Sequence, residues 1–277
     1  MYWFCFGCIS RRYRNLHETL AHHSDSVVTA TTPAVAVESL TLDYRLPRFR
    51  ANSLKELAVR VIKRRSGYDS IRALSEVTFS VWPGEVFGVV GPNGAGKSSL
   101  MKVLARILPP TSGRVRVVGQ VSAMIELGAG FNAEQTAREN ILLYGALLGR
   151  DVALMRERCN PILEWAELRD YRDVPLHAFS SGMLARLGFA VAVDVAPRVL
   201  IVDEVLSVGD ESFQRRSTAR MDDLIEQGTS VVLVSHNLAQ LRQRAHRAMW
   251  LDRGRVRALG ATNSVVEAYL ESTGLIR

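Results

Sequence analysis

Hydrophobic and polar residues alternate along positions 35–44, and that period of two predicts a first strand. A second alternating stretch at 76–81 ends in the turn pair Pro83-Gly84. Val86-Phe87-Gly88-Val89-Val90 is short, apolar and rich in β-formers, which predicts a third strand. Residues 99–108 then carry apolar positions at helical spacing until Pro109-Pro110 stops them. Residues 111–118 read as a turn and a strand, and 120–127 as a further strand ending in the loop Gly128-Ala129-Gly130-Phe131. A capping box, Thr136-Ala137-Arg138-Glu139, opens a helix predicted to run through Leu148. Residues 151–173 are helix-rich, with Pro161 suited to a first-turn position. Two apolar runs, Val199-Leu200-Ile201-Val202 and Ser230-Val231-Val232-Leu233-Val234-Ser235, read as strands buried on both faces. Alternating strands and helices predict an α/β fold with a mostly parallel sheet and its site at the strands' carboxyl ends. The segment from 136 to about 195 is then a helical insert.

Joining the third strand to the first helix is Gly91-Pro92-Asn93-Gly94-Ala95-Gly96-Lys97-Ser98, which matches the phosphate-binding pattern G-x-x-x-x-G-K-[ST]. The pattern has meaning only between a strand and a helix, which is where it stands. Glycines let the backbone curl so that successive N–H groups face an anion, and the following helix adds the positive end of its dipole. Lys97 is placed to reach the β- and γ-phosphates of a nucleoside triphosphate, and Ser98, with Ser99 beside it, to offer a hydroxyl to Mg²⁺. Asp203 and Glu204 end one buried apolar run, which puts carboxylates beside the same Mg²⁺. His236 ends the other.

The chain has 277 residues, 47% hydrophobic and 23% charged, enough for one large domain or two modest ones. Its formal net charge is +7, and residues 45–65 alone hold eight Lys/Arg against the single acid Glu56. That local excess equals the whole net charge, so nucleic acid is not an expected partner. Within it Leu54, Leu57, Ala58, Val61 and Ile62 recur at helical spacing behind the capping box Ser53-Leu54-Lys55-Glu56. The pattern predicts an amphipathic insert at about 45–68 whose cationic face, ending Lys63-Arg64-Arg65, is either solvated or meets anionic lipid or an acidic substrate. Three cysteines, Cys5, Cys8 and Cys159, point to a reducing compartment without a disulfide framework. The pair Cys5 and Cys8 lacks the two further nearby ligands of a structural zinc site.

No stretch reaches the ~18 apolar residues of a membrane span. Residues 1–34 read as an extension and linker. Its aromatic, uncharged start precedes Arg11-Arg12-Tyr13-Arg14, the reverse of a secretory signal. Such a start suits a bilayer interface as well as a disordered tail.

Phe179-Ser180-Ser181-Gly182-Met183 precedes the acidic strand end, and Ser207-Val208-Gly209-Asp210 follows it, before His236. With the loop at Gly91, this order of five motifs across roughly 35–270 resembles an ABC-type ATPase. The Phe-Ser-Ser-Gly-Met version of the usual Leu-Ser-Gly-Gly-Gln signature, the basic insert, and the run from Ala123 to Phe131 look like ATPase subunits that export O-antigen, capsule or teichoic-acid polysaccharides. The resemblance implies one ATPase domain over 35–271, with a mixed sheet core, a helical subdomain at about 132–195 and an antiparallel β subdomain. It also implies ATP and Mg²⁺, and a homodimer that sandwiches two ATP beneath a separate ABC-2-type permease. The chain would then be peripheral, on the cytoplasmic face of the membrane.

By the same resemblance Asp203 organises the metal, Glu204 polarises the attacking water and His236 contacts the γ-phosphate. Ser180, Ser181 and Gly182 meet that phosphate across the dimer, and Asp210 makes a dimer contact. Glu126 stands where the family carries a Gln near Mg²⁺, and Ser181 where the signature carries a glycine. Tyr44, placed at the end of the first strand, is the candidate for stacking on adenine, with Tyr68 its competitor. The loop 128–132 would relay motion to the permease. The chain ends soon after a short helix at 263–270, which leaves no room for an added sugar-binding domain and assigns the polysaccharide cargo mainly to the permease. An exporter subunit for another cargo, such as a lipid or drug, is the alternative reading. ABC ATPases of nucleic acid or the ribosome usually carry two cassettes or a coiled coil, and this chain has one phosphate loop and no sustained heptads.

Overall fold

A computed structural model describes residues 32–47, 68–124, 130–203, 210–235 and 237–273. The insert helix at 53–65, Cys5 and Cys8, Glu126, Glu204, Ser207 to Gly209 and His236 lie outside the described residues. In chain order the elements begin with β1 (Val35–Pro47), β2 (Tyr68–Val81), β3 (Val86–Val90), α1 (Lys97–Leu104), β4 (Ser112–Val117) and β5 (Val121–Met124). Next come α2 (Ala137–Leu147), α3 (Val152–Trp165), α4 (Ser181–Asp194), β6 (Val199–Asp203), α5 (Glu211–Glu226) and β7 (Ser230–Val234). The series ends with α6 (Leu238–Arg244), β8 (Arg247–Asp252), β9 (Arg255–Ala261) and α7 (Thr262–Ser272).

The strands form two sheets. One is antiparallel, in the order β2-β1-β4, and the other runs β5-β6-β7-β3-β8-β9 with only β9 antiparallel to its neighbour. The apolar runs of β3 and β7 are buried at every position, as strands covered on both faces must be. One face packs on α1 and the antiparallel sheet, where the Phe79 and Phe87 rings stack at 5.1 Å. The other face packs on α4, α5 and α7 through Phe189, Phe213, Leu224 and Val266. Helices α2, α3 and α4 share a separate core around Ile141, Tyr144, Met155, Ile162 and Leu187. The mixed sheet, the antiparallel sheet and the helical insert are thus present as expected.

Three sequence expectations need correction. First, β1 does not end at Tyr44 but continues to Pro47, so Tyr44 is an internal position paired with Ile71. Its partner β2 begins eight residues earlier than the alternation suggested, at Tyr68. The two strands hold each other beyond the stretch that either pattern marks, with Arg72 bridging Asp43 at 2.9 Å across the pair. Second, α1 stops at Leu104, not at 108. Arg106 adopts φ 61°, and the N–H groups of Ile107 and Leu108 both turn back onto Lys102 O. A residue before proline disfavours the helical region, so Pro109 unwinds the last turn before it is reached. Third, Pro161 lies inside α3 and starts no new helix. The helix carries Met155, Cys159, Ile162 and Leu163 into the helical core on both sides of the proline. That burial outweighs the one backbone hydrogen bond that proline removes.

Two buried polar side chains set the shape of the helical insert. Asn140 is fully buried: its side-chain oxygen accepts from Asn132 N at 2.7 Å, and Nδ2 reaches the carbonyls of Asn132, Gln135 and Thr136 within 3.0 Å. Thr136 and Glu139 complete the capping box on the same turn. The buried Arg150 guanidinium donates to the carbonyls of Val191, Ala192 and Val195, which closes the C-terminal end of α4. Burial pulls its pKa down, and the nearby Asp194 carboxylate opposes that.

Candidate nucleotide site

The loop between β3 and α1 is built against the β8–β9 hairpin and strand β2. Gly254, in the turn between β8 and β9, donates its N–H to Ala95 O at 2.8 Å and accepts from Ser75 N at 2.8 Å. Ala95 N closes the loop's own turn onto Pro92 O. Gly96 takes φ 105°, and a Cβ there would stand 2.6 Å from the Ala73 carbonyl oxygen. Only glycine satisfies both the left-handed backbone and that approach.

Gly96 is the N-cap of α1, with no side-chain cap and no acid in the first turn. The first turn of the helix therefore presents the positive end of its dipole to the loop. Lys97 is buried, and its ammonium donates to Gly91 O at 2.7 Å and Pro92 O at 2.9 Å, which folds the charge over the loop. Ser98 is exposed beside it, and Asn93 and Gly94 are exposed at the loop's tip. A concave run of donors with a buried cation fits a triphosphate. Asp203 is half-buried at the carboxyl end of β6, and hydroxyl and carboxylate oxygens of this kind suit a hard cation.

The remaining predicted residues fall in two places. The Tyr44 hydroxyl lies 3.2 Å from Ser99 Oγ, so Tyr44 joins the first turn of α1, with its half-buried ring packed on the core. Ser180 and Ser181 are exposed at the start of α4, where the Ser180 hydroxyl oxygen caps the helix by accepting Met183 N. Gly182 follows, and among the described residues only Ser180 Oγ comes near its missing Cβ. Asp210 caps α5, accepting from Phe213 N and from the Ser212 hydroxyl, both at 2.9 Å. Those two bonds and then Arg186 hold its carboxyl below the usual carboxylate range.

Reading the sequence alone missed four residues that organise these pieces: Gly254, Asn140, Arg150 and Arg186. Gly254 was recoverable in principle from the Asp-Arg-Gly-Arg turn between two alternating stretches. The other three act on backbone or carboxylates distant in sequence, and no local pattern marks them.

The family model described as ABC transporter matches residues 74–207. The O-antigen export system ATP-binding protein RfbB of Klebsiella pneumoniae is 36% identical over 246 residues, covering 87% of this chain and 98% of that protein. The protein of the same name from Myxococcus xanthus is 42% identical over 205 residues, covering 74% of this chain. The match spans about half of that longer protein, 47%. Among solved structures, the dimeric post-hydrolysis state of the ATP-binding cassette MJ0796 bound to ADP and Pi aligns over 82% of this chain and 98% of its own. The TM-score is 0.65 at 21% identity, a likeness of fold.

Gly96→Ala is expected to destabilise the chain by about 1–3 kcal/mol, the cost of holding a side chain in a disfavoured backbone region, and to abolish ATP binding. Urea unfolding and calorimetric titration check both; full ATP affinity in that variant would contradict the assigned loop geometry.

Proposed function

The chain belongs to the family of ABC transporter ATP-binding subunits, and on that footing we propose that it hydrolyses ATP as a homodimer to power polysaccharide export through a separate membrane permease. The observation that carries this reading is the glycine-bent loop with the buried Lys97, set on the uncapped start of α1. The relatives' names supply the cargo class, an O-antigen-like polysaccharide. In this reading the permease is a different chain and this one sits against its cytoplasmic side; among the described residues, no helix is long and apolar enough to cross a membrane.

Each residue then has a task. Lys97 turns from the Gly91 and Pro92 carbonyls toward the triphosphate oxygens while the first-turn N–H groups take the rest of the charge. Ser98 and Asp203 would hold Mg²⁺, which when bound would neutralise charge on the phosphates. Glu204 orients the attacking water in line with the γ-phosphorus and His236 contacts the γ-phosphate. The partner subunit lids the site with the Ser180 end of its own α4, where the hydroxyl and the helix's N–H groups face outward. Tyr44 offers its ring to adenine, anchored through Ser99 to the helix that grips the phosphates. By the family resemblance Glu126 would face Mg²⁺ when the ion is bound.

A groove of about 870 Å³ lined by Tyr44, β5 and the ends of α1 and α2 is a candidate seat for the permease, next to the tyrosine assigned to adenine. Ile107 and Leu147, 60% and 63% exposed, stand on it beside Lys102, Arg106 and Leu148. Its apolar floor and cationic rim are suited to a short amphipathic helix. The loop beginning at Gly130 borders Leu147 and Tyr144, and in this proposal it relays a change at the nucleotide to that surface.

Glu204→Gln is expected to bind ATP as the wild type does and to turn over at least ~10²-fold more slowly, the contribution of a general base. Phosphate-release kinetics beside nucleotide titration decide it, and unchanged turnover would remove Glu204 from that role. Tyr44→Ala is expected to weaken ATP binding by about 1–3 kcal/mol, the worth of one base–aromatic stack, while Tyr44→Phe keeps it. An alanine variant of full affinity would place adenine elsewhere.

A further inference from the structure

Three elements of the helical side converge on one arginine. Arg186 lies on α4, six residues beyond Ser180. Its Nη1 donates to Glu167 Oε2 at 2.9 Å, on the turn that follows α3, and its Nη2 donates to Asp210, the N-cap of α5. The guanidinium also lies 5.4 Å from the centroid of the Phe213 ring. Glu167 is shared, since Arg216 on α5 meets its other oxygen at 2.8 Å and stands 5.4 Å over the Trp165 ring. Beneath these ions Trp165, Phe189 and Phe213 pack as an aromatic trio with centroids 5.3–5.8 Å apart. Glu167 itself takes φ 58°, a backbone region that a non-glycine residue keeps when its surroundings require it.

Folding of α4 does not call for Arg186. Ser180 caps its start, Arg150 closes its end, and its apolar side is buried in two cores. What the Arg186 fork adds is a fixed relation between that helix, the turn after α3 and the start of α5. An arginine suits this because its planar donors can hold two carboxylates at once, which a lysine's single ammonium does less well.

We propose that Arg186 is a positioning residue for the composite ATP site, locking the signature end of α4 to Asp210 and Glu167. Ser180, Ser181, Gly182 and Asp210 of one protomer then reach the partner's nucleotide as one unit. The inference rests on the two-ATP dimer described above. Ion pairs this close to solvent add little to stability, so the effect of losing them is read in geometry.

The test compares full-length wild type, Arg186→Ala, Arg186→Met, which keeps most of the stem's packing, and Arg186→Lys. Each is measured for Tm, ATP affinity of the single chain, kcat, KM, and ATP-driven dimerisation in the Glu204→Gln background. Arg186→Ala and Arg186→Met should lose on the order of 10²-fold in kcat, as a misplacement of about 1 Å costs. They should also dimerise poorly, while single-chain ATP affinity stays within about twofold, because loop 91–98 is untouched, and Tm stays near wild type. Arg186→Lys should recover part of kcat. Wild-type kcat and dimerisation in the alanine and methionine variants would overturn the inference alone. So would a parallel fall of Tm, affinity and kcat in both, the mark of a merely structural residue. A wild-type chain that forms no ATP-dependent dimer would overturn both the inference and the reading beneath it.

Discussion

The carbonyl of Leu251 occupies the space a side chain on Gly91 would need: a Cβ there would stand 2.0 Å from that oxygen. No substitution relieves this without moving β8, which pairs with β3 and is part of the central sheet. The loop is therefore pressed against backbone on one side and drawn to the β8–β9 turn through Gly254 N–H and Ala95 O on the other. From this constraint follow the inward path of the chain from Gly91 to Gly96, the uncapped start of α1 and the place of Lys97 above it. A site that must receive three phosphates with little reorganisation needs donors already in place, and here rigid sheet backbone supplies the support.

Helix α4 depends on a different kind of support. Its C-terminal end is held by a buried guanidinium on three main-chain carbonyls, and its N-terminal end by half-exposed side-chain ion pairs. Main-chain capping holds one end of the helix in a buried pocket, and the planar fork of Arg186 holds the other in register with Glu167 and Asp210. In the proposed dimer these supports present the start of α4 and the start of α5 together.

Much of this was legible in the sequence, for identifiable reasons. The phosphate loop, the buried strands β3, β6 and β7, and the capping box at Thr136 are local patterns whose physics lies within a few residues. The boundaries that failed were decided by distant partners: β1 outruns its pattern because β2 pairs with it to Pro47, and α3 runs through Pro161 because its apolar face is buried on both sides. Arg150 and Arg186 were invisible for the same reason, being two of many arginines until the fold brings Val191 or Asp210 to them. Tyr44 was singled out as a strand end, which it is not, yet the fold sets its hydroxyl on Ser99 beside the phosphate loop.

The central claim is that one chain's phosphate loop grips ATP and a second copy covers it. Native mass spectrometry of the Glu204→Gln chain in Mg·ATP tests this directly. The account predicts a complex of two chains carrying two ATP. Single chains that each retain ATP at every protein concentration, or dimers that form without nucleotide, would contradict it.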